Sequence, residues 1–193
     1  MIEQTLQFLR LEVYNYLNLM TQTHTAENKV KLTGLVDAKG DLSLASGCLG
    51  LTLVNIEEER LLKNQAPTFK KQEDKVAYVN PDIKLNLYVL FSANFSPYEE
   101  GLKFISHVVT FFQMRNAFNH QNAPNLDAGI KKLLVDLYSM NFEQQNHMWS
   151  TLGCKYLPSA LYHVRMLCLK DEQVLWERPP VQIVAINADS GGL

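Results

Sequence analysis

The sequence is poor in the residues and patterns that mark several classes of function. Its 193 residues include three cysteines, Cys48, Cys154 and Cys168, an odd number, far apart and set in apolar stretches. A secreted disulfide framework needs an even count, and no C-x-x-C pair is present for a metal or redox site. The five histidines, His24, His107, His120, His147 and His163, include no pair at the i, i+4 spacing of a helical zinc site. There is no G-x-S-x-G elbow, no Walker loop and no G-x-G-x-x-G turn. Eighteen Lys and Arg stand against 20 Asp and Glu, a net charge of −2, so no excess of cations is available to grip phosphates. No stretch approaches the roughly 18 consecutive apolar residues of a membrane span. Met1-Ile2-Glu3-Gln4 lacks the basic start of an export signal. The expectation is a reduced, cytoplasmic, soluble protein in which the sequon Asn94-Phe95-Ser96 goes unused.

What is present is a globular composition, 47% hydrophobic and 20% charged. A domain of this length buries roughly 70% of its unfolded surface, enough to fold without metal or disulfide. Ile2, Leu6, Leu9, Val13, Tyr16 and Met20 recur at steps of four and three, which predicts an amphipathic helix. Phe8, Leu11 and Leu19 widen its stripe, toward either a second neighbour in the same fold or another subunit. Val30 to Val36 and Leu49 to Ile56 read as strands joined by a glycine-rich turn from Lys39-Gly40-Asp41 through Gly47. The polar stretch from Glu57 to Tyr78 reads as a long, exposed, mobile loop, either a solvated insertion or a binding loop.

After Asn80-Pro81 comes the clearest strand. Ile83, Leu85, Leu87, Val89 and Phe91 take one face, and Lys84, Asn86, Tyr88 and Ser92 the other. Ser96 as cap, Pro97 at the first helical position and Glu99-Glu100 then predict a helix start. Its stripe is Tyr98, Leu102, Ile105, Val109 and Phe112, extended by Phe104, Val108 and Phe111, and the helix is expected to lie deeply buried across a sheet. Asn119 to Asn125 is turn-rich. Leu133 to Leu137 reads as a strand, although Lys131-Lys132-Leu133-Leu134 is also compatible with a helix start. Asn141 with Gln144 forms a capping-box pattern ahead of a short helix with Phe142, Trp149 and Leu152 inside, stopped by Gly153. Leu161 to Leu169 predicts a strand with Tyr162, Val164, Met166 and Cys168 on one face. Pro179-Pro180 breaks the chain before a last strand, Val181 to Ile186, and a loose tail. The order of elements predicts an α+β fold: one domain with helices on a mixed or mostly antiparallel sheet over residues 1–178, then a strand and tail over 179–193.

Candidate chemistry is sparse. His107 and His163 read as structural, hydrogen-bonded histidines. Lys155 beside Cys154 would lower that thiol's pKa, but no base accompanies it. Asp136 and Asp127 read as edge and turn residues. Interaction features remain: the wide-striped first helix, the polar loop, and a terminal strand that either closes its own sheet or adds to another chain's edge.

Three blocks in order resemble a known family. The first is Asn80-Pro81-Asp82-Ile83-Lys84-Leu85-Asn86-Leu87-Tyr88-Val89-Leu90, leading to Tyr98-Glu99-Glu100-Gly101-Leu102. The second is the Leu133 to Leu137 strand with the short helix ending at Trp149. The third is Tyr156-Leu157-Pro158-Ser159-Ala160-Leu161-Tyr162-His163-Val164-Arg165. With the opening helix they span nearly the whole chain. It resembles the tail-terminator, or cap, proteins of extracellular contractile injection systems, the phage-tail-like particles of the antifeeding-prophage and virulence-cassette type. Some members carry a further region where this chain stops. The resemblance implies a terminator-like fold and a structural, non-enzymatic role. A six-fold ring would sit on the last layer of the inner tube, stop its growth and hold the end of the sheath. It implies inner-tube and sheath proteins as partners, no cofactor, no nucleic acid and no membrane. Assembly in the cytoplasm would precede residence in the particle. The family-signature residues Asn80, Pro81, Tyr88, Trp149, Pro158, Ser159 and Tyr162 read as structural: the prolines set the start of strands, and Trp149 is a core anchor before it is an interface hot spot. Two alternatives stand beside this reading: another connector or baseplate component of the same particle, and a small cytoplasmic enzyme with a distributed site.

Overall fold

The computed structural model describes residues 1–21, 29–59, 68–72, 75–79, 84–168 and 176–178. In chain order they form helix α1 (Ile2–Thr21), strands β1 (Val30–Leu32), β2 (Cys48–Glu58), β3 (Thr68–Gln72), β4 (Lys75–Val79) and β5 (Lys84–Asn94), helix α2 (Tyr98–Met114), strands β6 (Ala117–Asn119) and β7 (Ile130–Leu137), helix α3 (Phe142–Leu152), and strands β8 (Ser159–Cys168) and β9 (Trp176–Arg178). Six strands make one sheet in the order β1-β2-β5-β8-β7-β6, and β3-β4-β9 make a second. Every pairing is antiparallel except β1 with β2. This is the expected α+β architecture with a mostly antiparallel sheet.

The large sheet packs on both faces, along its length on one and around Leu90 and Leu161 on the other. Leu87, Val89 and Phe91 of β5 and Tyr162, Val164 and Met166 of β8 face α1 and α2, whose Leu9, Val13, Phe104, Val108, Phe111 and Phe112 complete the main core. The alternate residues Leu90 and Leu161 face the other way, into a second cluster with Leu35, Leu44, Cys48 and Trp149. Strand alternation splits one apolar run into two cores. The second face of β5 carries Lys84, Asn86, Tyr88 and Ser92 as expected, with Leu90 among them packed into the second core. Asn86 and Ser92, assigned to that face, are buried as well.

Other expectations also change. The Val30 to Val36 strand is shorter, ending at Leu32, and runs parallel to β2 at the sheet edge. The connection between them covers the second face, burying Leu35 and Leu44. Its tight turn forms at Asp37, whose carboxylate accepts the Lys39 and Asp41 backbone N–H groups, with Gly40 at φ +85°. The predicted loop from Glu57 to Tyr78 contains β3 and β4, which pair with each other and, through β4, with β9. Thr68-Phe69-Lys70 and Val76-Ala77-Tyr78 carry β-formers that polar composition alone obscured. Residues 60–67 and 73–74 of that stretch lie outside the described residues, as do Asn80, Pro81, the Pro179-Pro180 break and the Val181 to Ile186 strand.

At the start of α2, Pro97 is extended (φ −77°, ψ 158°) and is itself the N-cap, so Ser96 does not cap the helix. The buried stripe is Gly101, Phe104, Val108, Phe111 and Phe112. Tyr98 and Leu102, expected at the centre of the inner face, are exposed. The true axis lies one position round, where four phenylalanine and valine side chains outweigh a Tyr and a Leu. In α1, Leu6, Phe8, Leu9, Val13 and Leu17 are buried, while Leu19 and Met20 are exposed at the C-terminal end.

Candidate interaction surfaces

Helix α3 stands on the second sheet face and is held at both ends as its sequence predicts. The Asn141 side chain accepts the Gln144 N–H (2.8 Å), and the Gln144 side chain accepts the Asn141 N–H (3.1 Å). Gly153 ends the helix at φ +70° in the left-handed region, its N–H reaching the Trp149 and Ser150 carbonyls. Trp149 is 6% exposed, anchors the helix in the second core beside Met148 and Leu152, and meets Tyr156 edge-on at 5.5 Å. Its Nε1 is buried without a hydrogen-bond partner among the described residues. Phe142, expected on the inner face with Trp149, is 90% exposed. The helix reaches its packing partners only in its second half, so its first residue overhangs into solvent.

Beyond α3, the same sheet face carries a polar-aromatic cluster. Tyr88 of β5 stacks on His163 of β8 (centroids 5.1 Å apart, planes 14°) and meets Tyr138 edge-on at 5.4 Å. The Tyr88 hydroxyl donates to Glu57 (3.2 Å). Burial and then the Glu57 carboxylate raise its pKa above the ordinary phenol value. Asp136 lies opposite His163 in register and pairs with Arg165. His163 is thus a stacked strand residue, although its Nε2 has no hydrogen-bond partner among the described residues. A depression of about 310 Å³ continues this face, lined by Glu59, Lys84, Asn86, Lys132, Leu134 and Arg165. Three cations, Lys84, Lys132 and Arg165, and one carboxylate, Glu59, line it, and Arg165 is paired with Asp136.

Tyr162 lies on the opposite face under α2, against Phe91 and Phe112 (5.6 and 4.7 Å). It is 1% exposed, its hydroxyl has no partner among the described residues, and burial drives its pKa well above the ordinary phenol value. Pro158 is buried, and its carbonyl accepts the Ala93 N–H (2.9 Å). Ser159 starts β8 opposite Ser92. The signature residues within the described chain therefore divide between the two sheet faces and the β8 start, and do not converge on one point.

Among the described residues no reactive constellation gathers either. Burial raises the Cys154 pKa, against the lowering expected from Lys155. Among the described residues no three His, Cys, Asp or Glu side chains are grouped to hold a metal ion, and no helix is long and apolar enough to cross a membrane. The sequon Asn94 is engaged, its side-chain amide donating to the Leu44 carbonyl (2.7 Å). Sequence reasoning missed the exposure of Phe142 and the Tyr88–His163 stack. The stack was accessible in principle, since both residues sit on polar faces of adjacent strands, but only once the register was known.

Comparison with known proteins adds the following. A family model described as the Pvc16 N-terminal domain matches residues 4–183. No curated protein matches the chain. Among solved structures, the sheath/tube terminator of the extracellular contractile injection system PVC, in its extended state, is similar with a TM-score of 0.59 at 13% identity, over 94% of this chain and 64% of that one. The tube-terminating cap of the anti-feeding prophage is similar with a TM-score of 0.56 at 16% identity, over 89% of this chain and 58% of that one. The chain thus spans less than two thirds of the length of either structure, and the likeness is one of fold.

Proposed function

Because the chain belongs to the Pvc16 N-terminal domain family, we propose that it is the tube and sheath terminator of an extracellular contractile injection system. One observation carries the reading. The family match over residues 4–183 coincides with a fold shared with two terminator proteins along 94% and 89% of the chain. In this role six copies close into a ring on the last inner-tube layer, block further tube subunits and hold the end of the sheath. The ring is heterologous: one patch on each copy meets a different patch on its neighbour, so the interface closes by rotation. The work is mechanical, and the protein acts as a structural part without catalysis. It assembles in the cytoplasm and then resides in the particle.

The surfaces described above suit that role. A terminator must match a repeating tube surface on one side and offer no copy of it on the other. The two faces of this molecule differ accordingly: α1 and α2 present mostly polar outer surfaces on one side, while α3 and the Tyr88–His163 cluster form the other. Sheath attachment falls to Val181 to Ile186, predicted from sequence as a strand, or to an exposed sheet edge, by strand addition. Deleting Val181 onward is expected to leave a folded domain by circular dichroism while sheath is lost from the particle end. An unfolded truncation would assign that strand to the core. The overall assignment is tested by labelling the protein with a small tag and gold on purified particles. Label at the end distal to the baseplate is expected; label at the baseplate would assign the chain to a connector.

A further inference from the structure

We propose that the cleft between α2 and the outer edge of β7 receives, as an added strand, the Val181 to Ile186 segment of a neighbouring copy of this chain. The proposal rests on the ring reading above. It gives that segment to the next subunit and leaves the sheath to an exposed sheet edge; loss of sheath on deleting Val181 onward then follows from loss of the ring.

The edge is open because β6 is short. It pairs with β7 only at Lys132, Leu133 and Leu134, and the Val135 N–H then donates to the Asn116 carbonyl (2.8 Å). Backbone groups alternate sides along a strand, so Leu137 presents its N–H and carbonyl to the same outer side as Val135. The next residue agrees, since the Tyr138 N–H donates inward to the Leu161 carbonyl (2.8 Å). Among the described residues no strand pairs with Leu137 on its outer side, and Leu137 is 54% exposed. Beside this edge lies a cleft of about 360 Å³, lined by Val109, Phe112 and Gln113 of α2 and by Val135, Asp136 and Leu137 of β7. Asp136 is its one charged residue, and that carboxylate is paired with Arg165. All of the lining belongs to the continuously described stretch from Lys84 to Cys168.

A strand edge beside an apolar cleft selects an extended peptide. The edge supplies main-chain hydrogen bonds, and the cleft takes a side chain. The open edge is short, so the cleft supplies much of the affinity, and burying an unpaired charge there would be costly. Val181-Gln182-Ile183-Val184-Ala185-Ile186, which lies outside the described residues, has the matching chemistry. Val181, Ile183, Val184 and Ile186 are β-branched, and no charged residue occurs from Val181 to Ala188. The segment starts from the other end of the molecule. From Tyr162 beside the cleft, β8 runs to Cys168, six residues and about 20 Å away. β9 pairs with β4, and the chain passes from β4 into β5 at Lys84, which lies opposite Leu167 at that far end. From Arg178 to Val181, three residues span at most about 11 Å, less than the way back along β8. The cleft is therefore filled from an adjacent copy. Segment and cleft are unlike patches, as a heterologous ring requires.

The test replaces Ile183 with the photo-crosslinking analogue p-benzoylphenylalanine in the full chain, incorporated into particles, with gold labelling of the same particles. Irradiation is expected to give a covalent dimer of this chain, joined on mass-spectrometric mapping to residues 109–116 or 135–138 of the second copy. Leu137→Lys, at an exposed position, should stay folded by circular dichroism yet lower the dimer yield roughly tenfold by charging the cleft. Leu102→Lys, at an exposed position of α2 that does not line the cleft, should leave the yield unchanged. A dimer joined elsewhere, an undiminished yield in Leu137→Lys, or an equal loss in both variants overturns the cleft assignment. A crosslink within one chain, crosslinks only to another protein, or none, with the chain present at the particle end, overturn the contact between copies while leaving the terminator reading intact. A chain absent from the particle end overturns both.

Discussion

Two buried aromatic residues carry polar atoms that nothing described satisfies, and the tyrosine gives a test at the scale of one side chain. The Tyr162 hydroxyl and Trp149 Nε1 are both buried without partners. Removing an orphaned polar atom while keeping the ring recovers desolvation energy, so Tyr162→Phe should be neutral or stabilising by up to about 1 kcal/mol. Tyr162→Ala, which empties the space between Phe91 and Phe112, should cost about 3–5 kcal/mol. Urea titration checks both. The pH dependence follows from the raised Tyr162 pKa. The unfolded phenol ionises near pH 10, while the folded one stays neutral. The contribution is therefore fully present below pH 10 and falls as pH rises toward the folded value. The loss of stability between pH 9 and 11 should be smaller in Tyr162→Phe; an equal loss would show that Tyr162 is not the group responsible. Gly50 offers a steric counterpart. A β-carbon there would lie 3.0 Å from a Leu44 methyl and 3.1 Å from Ser92 Oγ, so Gly50→Ala should destabilise by about 1–3 kcal/mol through overpacking.

Among the elements, α3 was legible in detail because its signals are local. The Asn141–Gln144 box and the Gly153 stop act over three or four residues of chain, and both formed as expected. No β-carbon contact opposes a side chain at Gly153, so Gly153→Ala should cost about 1–2 kcal/mol from the left-handed backbone alone. Gly153→Asn should cost less, and thermal melts separate the two. What failed was orientation and pairing, which depend on distant chain. The position of Phe142 follows from where α3 meets the sheet. The direction of β1 follows from a connection that packs on the second face. The burial of Leu90 on the second face of β5 follows from Trp149 of α3 and from Leu35 and Leu44 of the β1–β2 connection, which pack there. The axis of α2 was misjudged by one position because its apolar arc covers about half of the helix, with Tyr98 and Leu102 at one margin of that arc rather than at its centre. One tertiary tie joins α1 to the end of α2. Arg115 pairs with Glu12 (2.8 Å), stacks over Phe118 (4.8 Å from the ring centroid), and donates to the Asn122 carbonyl. Arg115→Lys keeps the charge and loses the fork, so a loss of about 1 kcal/mol is expected in urea titration.

For the whole molecule, the family and fold agree with the expectation that three ordered sequence blocks carried. The large sheet is covered by α1 and α2 on one face and by α3 with the β1–β2 connection over part of the other. The absence of converging signature residues has a physical sense here as well. In the proposed terminator role partners would be met through extended surfaces, which become visible only when faces and edges are laid out. The most direct measurement is the length distribution of tube and sheath, by negative-stain imaging, in particles made with and without this chain. The account predicts overlong or ragged tubes and detached or missing sheath when it is removed, with normal lengths restored by the intact chain. Particles of unchanged length with complete sheath would contradict it.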